Sequence, residues 1–330
     1  MQATAPEALQ PALQPWQPAT PQPRLELRYL GTGGGLFFIA LKNLFLTLVT
    51  LGIYLPWART SRRTYLWENI EVGGQRLRYH GTGREVLIGY LKVAVVYIVL
   101  LLVPLGVTRI NVAVGTALRI AGGLAIIPLI PIAIYGSARY RLSRTSLRGV
   151  RFGVAPSARG YLILYLQTML LTVLTLGIYA PYGSNRLHRY LVSRYRYGSQ
   201  AFGYDGQDGA YWKVSMRGLL LTIVTFGFYY SWWIASVMRF HIGHTLFQGA
   251  RGRFDMTGGE FFQLFIVAYF GTLCTLGIGI PWITTYVLQV VLSKISFEGP
   301  IDFALVEQRP VEGNAAADDL ASALDIGLEV

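Results

Sequence analysis

Apolar residues along this chain gather in long blocks separated by short basic stretches, with the blocks at about 36–57, 86–107, 112–137, 160–182, 213–235 and 260–292. A helix needs about 20 apolar residues to cross the hydrocarbon of a bilayer, so these blocks predict six spanning segments. A short extended stretch ending in a Gly or polar turn precedes the helical run of each unit. Its five versions are LRYLGTGG at 27–34, LRYHGTGR at 77–84, FGVAPSAR at 152–159, FGYDGQDG at 202–209 and RFDMTGGE at 253–260. The alternation from strand pattern to apolar helix predicts that both kinds of element recur in every unit.

One phrase recurs inside the blocks: TLVTLGIYLPW at 47–57, TVLTLGIYAPY at 172–182, TIVTFGFYYSW at 222–232 and TLCTLGIGIPW at 272–282. Gly52, Gly177, Gly227 and Gly277 can take the left-handed conformation that ends a helix, and Pro56, Pro181 and Pro281 follow four residues later. The phrase therefore predicts a helix, a break and a second, Arg-rich helix. That second helix leads into strand pairs turning at VGGQ, YGSQ or QGAR. The expected fold is an α-helical multi-pass membrane protein built from about five tandem repeats of ~50 residues: apolar helix, Gly/Pro break, Arg-rich helix and short β-hairpin. The second unit departs from the pattern. It lacks the Thr and Gly signals and carries about 25 extra residues, which predict a full hairpin with Arg109 and Arg119 at its far surface.

Composition agrees, with 53% hydrophobic and 14% charged residues, against roughly 25% charged in soluble domains. Residues 24–305 carry 28 Lys or Arg against 10 Asp or Glu, and Arg outnumbers Lys by 24 to 4. Basic stretches between apolar blocks predict cytoplasmic loops and contact with anionic lipid head groups, with no nucleic-acid partner. If only one helix of each unit crossed, the loop holding Arg194 and Arg196 would face outward. A return of the second helix keeps every basic loop on one side and lets the strand pairs meet on one face. Residues 1–23, rich in Pro, Gln and Ala, read as a disordered tail with no signal-peptide pattern, and the acidic 306–330 as a second such tail. The repeat-built transmembrane domain is expected at 24–305.

The strand with GTG, the break TLGIYLPWA, the Arg-rich helix at 59–67 and the return GGQRLRYHGTG together resemble the YjgN-like bacterial inner-membrane proteins, a family of unknown function. The resemblance covers nearly all of 24–305, with Gly279 standing where Tyr is expected and Gln289 where Arg is. It implies a multi-pass protein of a Gram-negative inner membrane. It carries over no activity and no functional residues.

Candidate chemistry is sparse. Thr172 and Thr175, Thr222 and Thr225, and Thr272 and Thr275 sit one turn apart beside the breaks, as do Thr47 and Thr50. Their hydroxyls can bond to carbonyls of the preceding turn or line an ion or solute site. Arg139, Arg189 and Arg239 recur every 50 residues on the second helix, where Arg can brace the interface or face a polar interior. Together these Arg and Thr residues form the candidate polar path. His241 and His244 lack a third metal ligand, Cys274 is the single cysteine, and GTGGG at 31–35 lacks the Lys of a phosphate loop. Neither an enzyme, a metal nor a cofactor is expected. The function expected first is a transporter or channel-like protein for a small anionic solute. The alternative is a non-catalytic membrane scaffold or lipid-interacting protein of the cell envelope.

Overall fold

The structure is a computed structural model that describes residues 24–308. Strand β1 (Arg24–Tyr29) leads into helices α1 (Gly33–Val49) and α2 (Leu55–Glu68), then strands β2 (Ile70–Val72), β3 (Gln75–Arg76) and β4 (Arg78–Tyr79). The order of two helices followed by strands recurs through α3 (Gly83–Thr108), α4 (Val112–Ser143), β5 (Thr145–Leu147), β6 (Val150–Val154), α5 (Ala158–Leu174), α6 (Ala180–Val192), β7 (Tyr195–Tyr197) and β8 (Gln200–Tyr204). It continues through α7 (Asp208–Val224), α8 (Tyr230–Gly243), β9 (Thr245–Phe247), β10 (Ala250–Phe254), α9 (Gly258–Cys274), α10 (Ile280–Ser293) and β11 (Ile295–Glu298). The second pair, α3 and α4, is not interrupted by a Gly/Pro break.

All strands belong to one 11-stranded sheet in the order β3-β2-β1-β11-β10-β9-β8-β7-β6-β5-β4. Every neighbouring pair is antiparallel. The two end strands, β3 and β4, are separated in sequence only by Leu77, whose N–H donates to the Ile70 carbonyl at 3.0 Å. The chain thus carries the sheet round into a near-barrel. Closure removes the exposed edges that such short strands would otherwise present. β1 pairs with β2 on one side and β11 on the other, Leu25 opposite Phe297 and Leu27 opposite Val72. The helices follow the same circuit, each packed on its chain neighbour and α1 packed on α10.

The interior of the strand ring is apolar. Leu147, Tyr197, Phe247 and Val306 are buried there, with Phe152, Phe202, Phe297 and Phe303 packed against them. Ring pairs Phe152–Tyr197 and Phe202–Phe247 have centroids 4.8 and 4.7 Å apart, within the range favoured for aromatic contact. A residual cavity of about 160 Å³ has only Leu, Val, Ile, Phe and Tyr side chains on its walls.

The segment after β11 closes this ring at its hairpin turns. Gln248 clamps Asp302 through two bonds of 3.0 and 2.8 Å, Ser199 N–H donates to the Glu307 carbonyl at 2.8 Å, and Arg151 N–H donates to Gln308 at 2.8 Å. The Arg148 guanidinium lies 4.2 Å from the Phe303 ring centroid. The described segment continues to Gln308, with Val306 filling the ring. The tails expected at 1–23 and over most of 306–330 lie outside the described residues.

Six spanning segments were expected; among the described residues two helices, α3 and α4, are long and apolar enough to cross a membrane. The other apolar blocks are divided by their breaks into helices of 17 residues or fewer. Phe303→Ala removes half-buried aromatic surface from the ring closure. It should destabilise the protein by about 2 kcal/mol and lower the thermal unfolding temperature by several degrees in detergent, with Leu305→Ala, at an exposed position, as the near-neutral control.

Candidate functional site

The periodic arginines meet the following unit. Gly206, Met256 and Gly31 occupy corresponding positions in the link from strand to first helix. Arg189 Nη2 donates to the Gly206 carbonyl at 2.5 Å and to Asp208 Oδ1 at 2.8 Å. Arg239 Nη2 donates to the Met256 carbonyl at 2.8 Å, and Gln289 Nε2 to the Gly31 carbonyl at 3.2 Å. The same polar grip thus joins neighbouring helix pairs and, through Gln289, the last pair to the first. A charged donor strengthens such a bond and suits a carbonyl that has left regular structure. Arg139 is buried on α4.

Tryptophans complete these seams. A Cβ on Gly33, Gly83 or Gly258 would lie 2.2–2.5 Å from Trp282, Trp57 or Trp232 respectively, so only glycine lets the backbone approach so closely. Trp67 and Trp212 donate their indole N–H to Thr145 Oγ1 and the Ile178 carbonyl. These tryptophans lock neighbouring elements together.

The threonines lie elsewhere. Thr175 Oγ1 donates to the Leu171 carbonyl at 2.7 Å and accepts from Tyr179 N–H at 3.0 Å. Thr225 and Thr275 make the same pair of bonds, as does Thr50. Thr222 donates to the Gly218 carbonyl. Thr172 N-terminal to its break and Thr272 in α9 contribute carbonyls to Gly177 and Gly277. Since Arg189 lies in the last turn of α6, about 15 Å along that helix from the break at 1.5 Å per residue, the arginines and threonines of the candidate path are not brought together.

Two other features escaped the sequence reading. His188 and His241 meet with ring centroids 4.0 Å apart and planes tilted by 38°, although their 53-residue separation does not match the 50-residue recurrence. Tyr204 Oη bridges His241 Nδ1 at 3.0 Å and Asn185 Oδ1 at 2.7 Å, and Asn185 donates to Asp208 and the Gly206 carbonyl. His188 stands just before the last turn of α6 and His241 in the last turn of α8, near the strands that follow each helix. Burial pushes the His188 imidazole down to about 4. Burial, then the neighbouring imidazoles, push His241 down to about 3. Among the described residues no cluster of His, Cys, Asp and Glu has the make-up of a metal site.

The second feature is an open groove of about 880 Å³ between α1, α2 and the link into α10. Leu36, Phe37, Ala40, Leu44, Leu276 and Ile280 make it apolar, and Arg59 and Arg62 of α2 line it too. Asn43, buried beside it, donates to the Ala58 carbonyl and Ser61 Oγ at 3.1 and 2.8 Å, fastening α1 to α2. The Arg59 guanidinium lies 5.4 Å from the Tyr90 ring centroid. Apolar side chains around it, including Leu41 and Leu44 on α1, are exposed, more than water tolerates on a soluble monomer.

A circuit of helix pairs on a closed sheet, with extensive exposed apolar surface and basic residues at the sheet, defines a membrane-embedded helical protein. The chain belongs to the family described as bacterial protein of unknown function DUF898, which it matches over residues 24–224, 201–268 and 219–323. It is similar to the Inner membrane protein YjgN of Escherichia coli strain K12, with 36% identity over 134 residues covering 40% of this chain and 31% of that protein. The protein of that name in Salmonella typhimurium is 37% identical over 134 residues, 40% of this chain and 32% of its own length. The match thus spans about a third of these relatives. No solved structure matches.

Two measurements check the geometry. Thr175→Val should cost about 1–3 kcal/mol by leaving Tyr179 N–H unpaired, read as a lower unfolding temperature, whereas Thr175→Ser should restore most of it. As pH falls from about 6.5 toward 4, the unfolded chain takes up protons that His188 and His241 do not, so stability should decline through that window. His188→Leu should flatten the decline.

Proposed function

We propose that the protein is a non-catalytic, lipid-engaging component of the bacterial inner membrane, built from five tandem repeats and oriented with its sheet toward the cytoplasm. The observation that carries this reading is the groove of about 880 Å³ bounded by α1, α2 and the link into α10. Its aliphatic and aromatic walls suit acyl chains, and the guanidinium groups of Arg59 and Arg62 suit a lipid phosphate. Arg28, Arg78, Arg151, Arg196, Arg251 and Arg253 lie on strands of the sheet, while Arg109 and Arg119 lie at the far end of the α3–α4 pair. That asymmetry supports the cytoplasmic orientation.

Solute transport along Arg139, Arg189 and Arg239 with the paired threonines is supported less well. Arg189 and Arg239 hold carbonyls of neighbouring units, the threonine bonds are local, and the cavity in the strand ring is apolar, a kind that stays dry.

Native mass spectrometry of the protein extracted in mild detergent should show a retained phospholipid. Leu44→Trp, which fills the groove, should reduce the lipid-bound fraction severalfold, and Arg59→Glu with Arg62→Glu should lower it for anionic lipids most. A protein that carries no lipid, and that moves an anionic solute into proteoliposomes, would overturn the reading.

A further inference from the structure

Four of the five helix pairs end in the same short link, which the fifth lacks. The outermost residues of these links are Leu51, Leu176, Phe226 and Leu276, exposed by 93, 94, 99 and 89%. Each is held at φ of +49 or +50° beside a glycine that also has positive φ. A large apolar side chain in that backbone conformation is unusual, and at the end of a hairpin in water it has nothing to gain from exposure.

The backbone of the links is closed to solvent chemistry. Every N–H from Thr50 to Leu55 has an acceptor within the link or the preceding turn, and so has every N–H across 175–180, 225–230 and 275–280. The residue after each of three links is Pro56, Pro181 or Pro281, which has no N–H to satisfy. Water would satisfy these donors at no cost. Complete internal pairing is what hydrocarbon demands of irregular backbone.

Length points the same way. First helices α1, α5, α7 and α9 have 17 residues each and their partners 13 or 14. Such helices extend about 25 Å and about 20 Å, short of the ~30 Å hydrocarbon core even when upright. The remaining pair has 26 and 32 residues, about 39 and 48 Å. Its end carries charged and amide side chains that the four links lack: beside the exposed Ile110, Asn111 caps the Val114 N–H, Arg119 donates to Thr108 Oγ1 at 2.7 Å, and Arg109 precedes Ile110.

We infer that α1–α2, α5–α6, α7–α8 and α9–α10 are membrane insertions that end inside the hydrocarbon, and that α3–α4 alone crosses to the opposite surface. The apolar tips are covered by acyl chains of lipids in the leaflet facing away from the sheet. The protein thus occupies one leaflet around its whole circuit and the other at a single hairpin, which leaves the bilayer over the four short pairs thinned. This inference does not rest on the groove being a lipid site.

The experiment uses the full-length protein in phosphatidylethanolamine–phosphatidylglycerol vesicles, in a Cys274→Ser background. Single cysteines replace Leu51, Leu176, Phe226 and Leu276, with Ile110→Cys as the crossing position, and each variant is first checked for an unchanged elution profile. An impermeant maleimide should label position 110 from the side opposite the sheet and leave the four tips unlabelled from either side. Nitroxides at the four tips should be reached by oxygen and shielded from a nickel chelate. Wild-type Cys274, the last residue of α9, should likewise resist the maleimide. Labelling of the tips from the side opposite the sheet would overturn the inference, since those pairs would then cross. Tips shielded from both oxygen and nickel would also overturn it, because protein, such as a second copy, would then cover them.

Discussion

The architecture depends on how a set of very short strands satisfies its edges. Strands of two to six residues cannot stand alone, and every strand here except the end strands β3 and β4 has partners on both sides, because the sheet curls into a near-barrel. The strand Arg24–Tyr29 is decisive: it accepts β2 from its own neighbourhood and β11 from the far end of the chain. Remove it and two edges open, the ring loses its circuit, and Gln289 can no longer reach the carbonyl of Gly31. The helices add no comparable long-range closure apart from the α1–α10 contact, which the same strand positions.

Built on that ring, each helix pair meets two environments. At the sheet, polar side chains such as Arg189, Arg239 and Asn185 hold the loops that start the next pair, and Trp57, Trp232 and Trp282 fill the close approaches left by glycines. At the other end, threonine hydroxyls and left-handed glycines complete the backbone bonding without water. The consequence is a protein whose polar groups are spent on assembling the circuit and whose outer surface is left to lipid. This division, together with similarity to proteins named inner membrane proteins, favours the lipid-centred proposal over a hydrophilic path.

Much of the local structure was legible in the sequence. The breaks at Gly52, Gly177, Gly227 and Gly277, the strand turns at Gly74, Ser199 and Gly249, and the longer second hairpin follow from local rules about glycine, proline and apolar periodicity. The ring did not, because pairing Leu25 with Phe297 is a contact between the ends of the chain that no local pattern encodes. Apolar block lengths also misled: the break at Gly277 within 260–292 was legible, but the helices on either side of it, of 17 and 14 residues, are each shorter than a span. Arginine periodicity was visible while its acceptors, backbone carbonyls of the following unit, were not. His188 gave no signal, since its partner His241 breaks the recurrence, and the groove draws residues from both ends of the chain.

The closure itself is the claim most open to direct test. In a Cys274→Ser background, cysteines at Leu25 and Phe297, opposite one another in the pairing of β1 with β11, should form an intramolecular disulfide on mild oxidation in native membranes. That would give a faster-migrating monomer on non-reducing gels, while Leu25→Cys paired with Phe202→Cys should not. Failure of the first pair to cross-link, or cross-linking only between separate chains, would contradict a ring closed by the first and last strands.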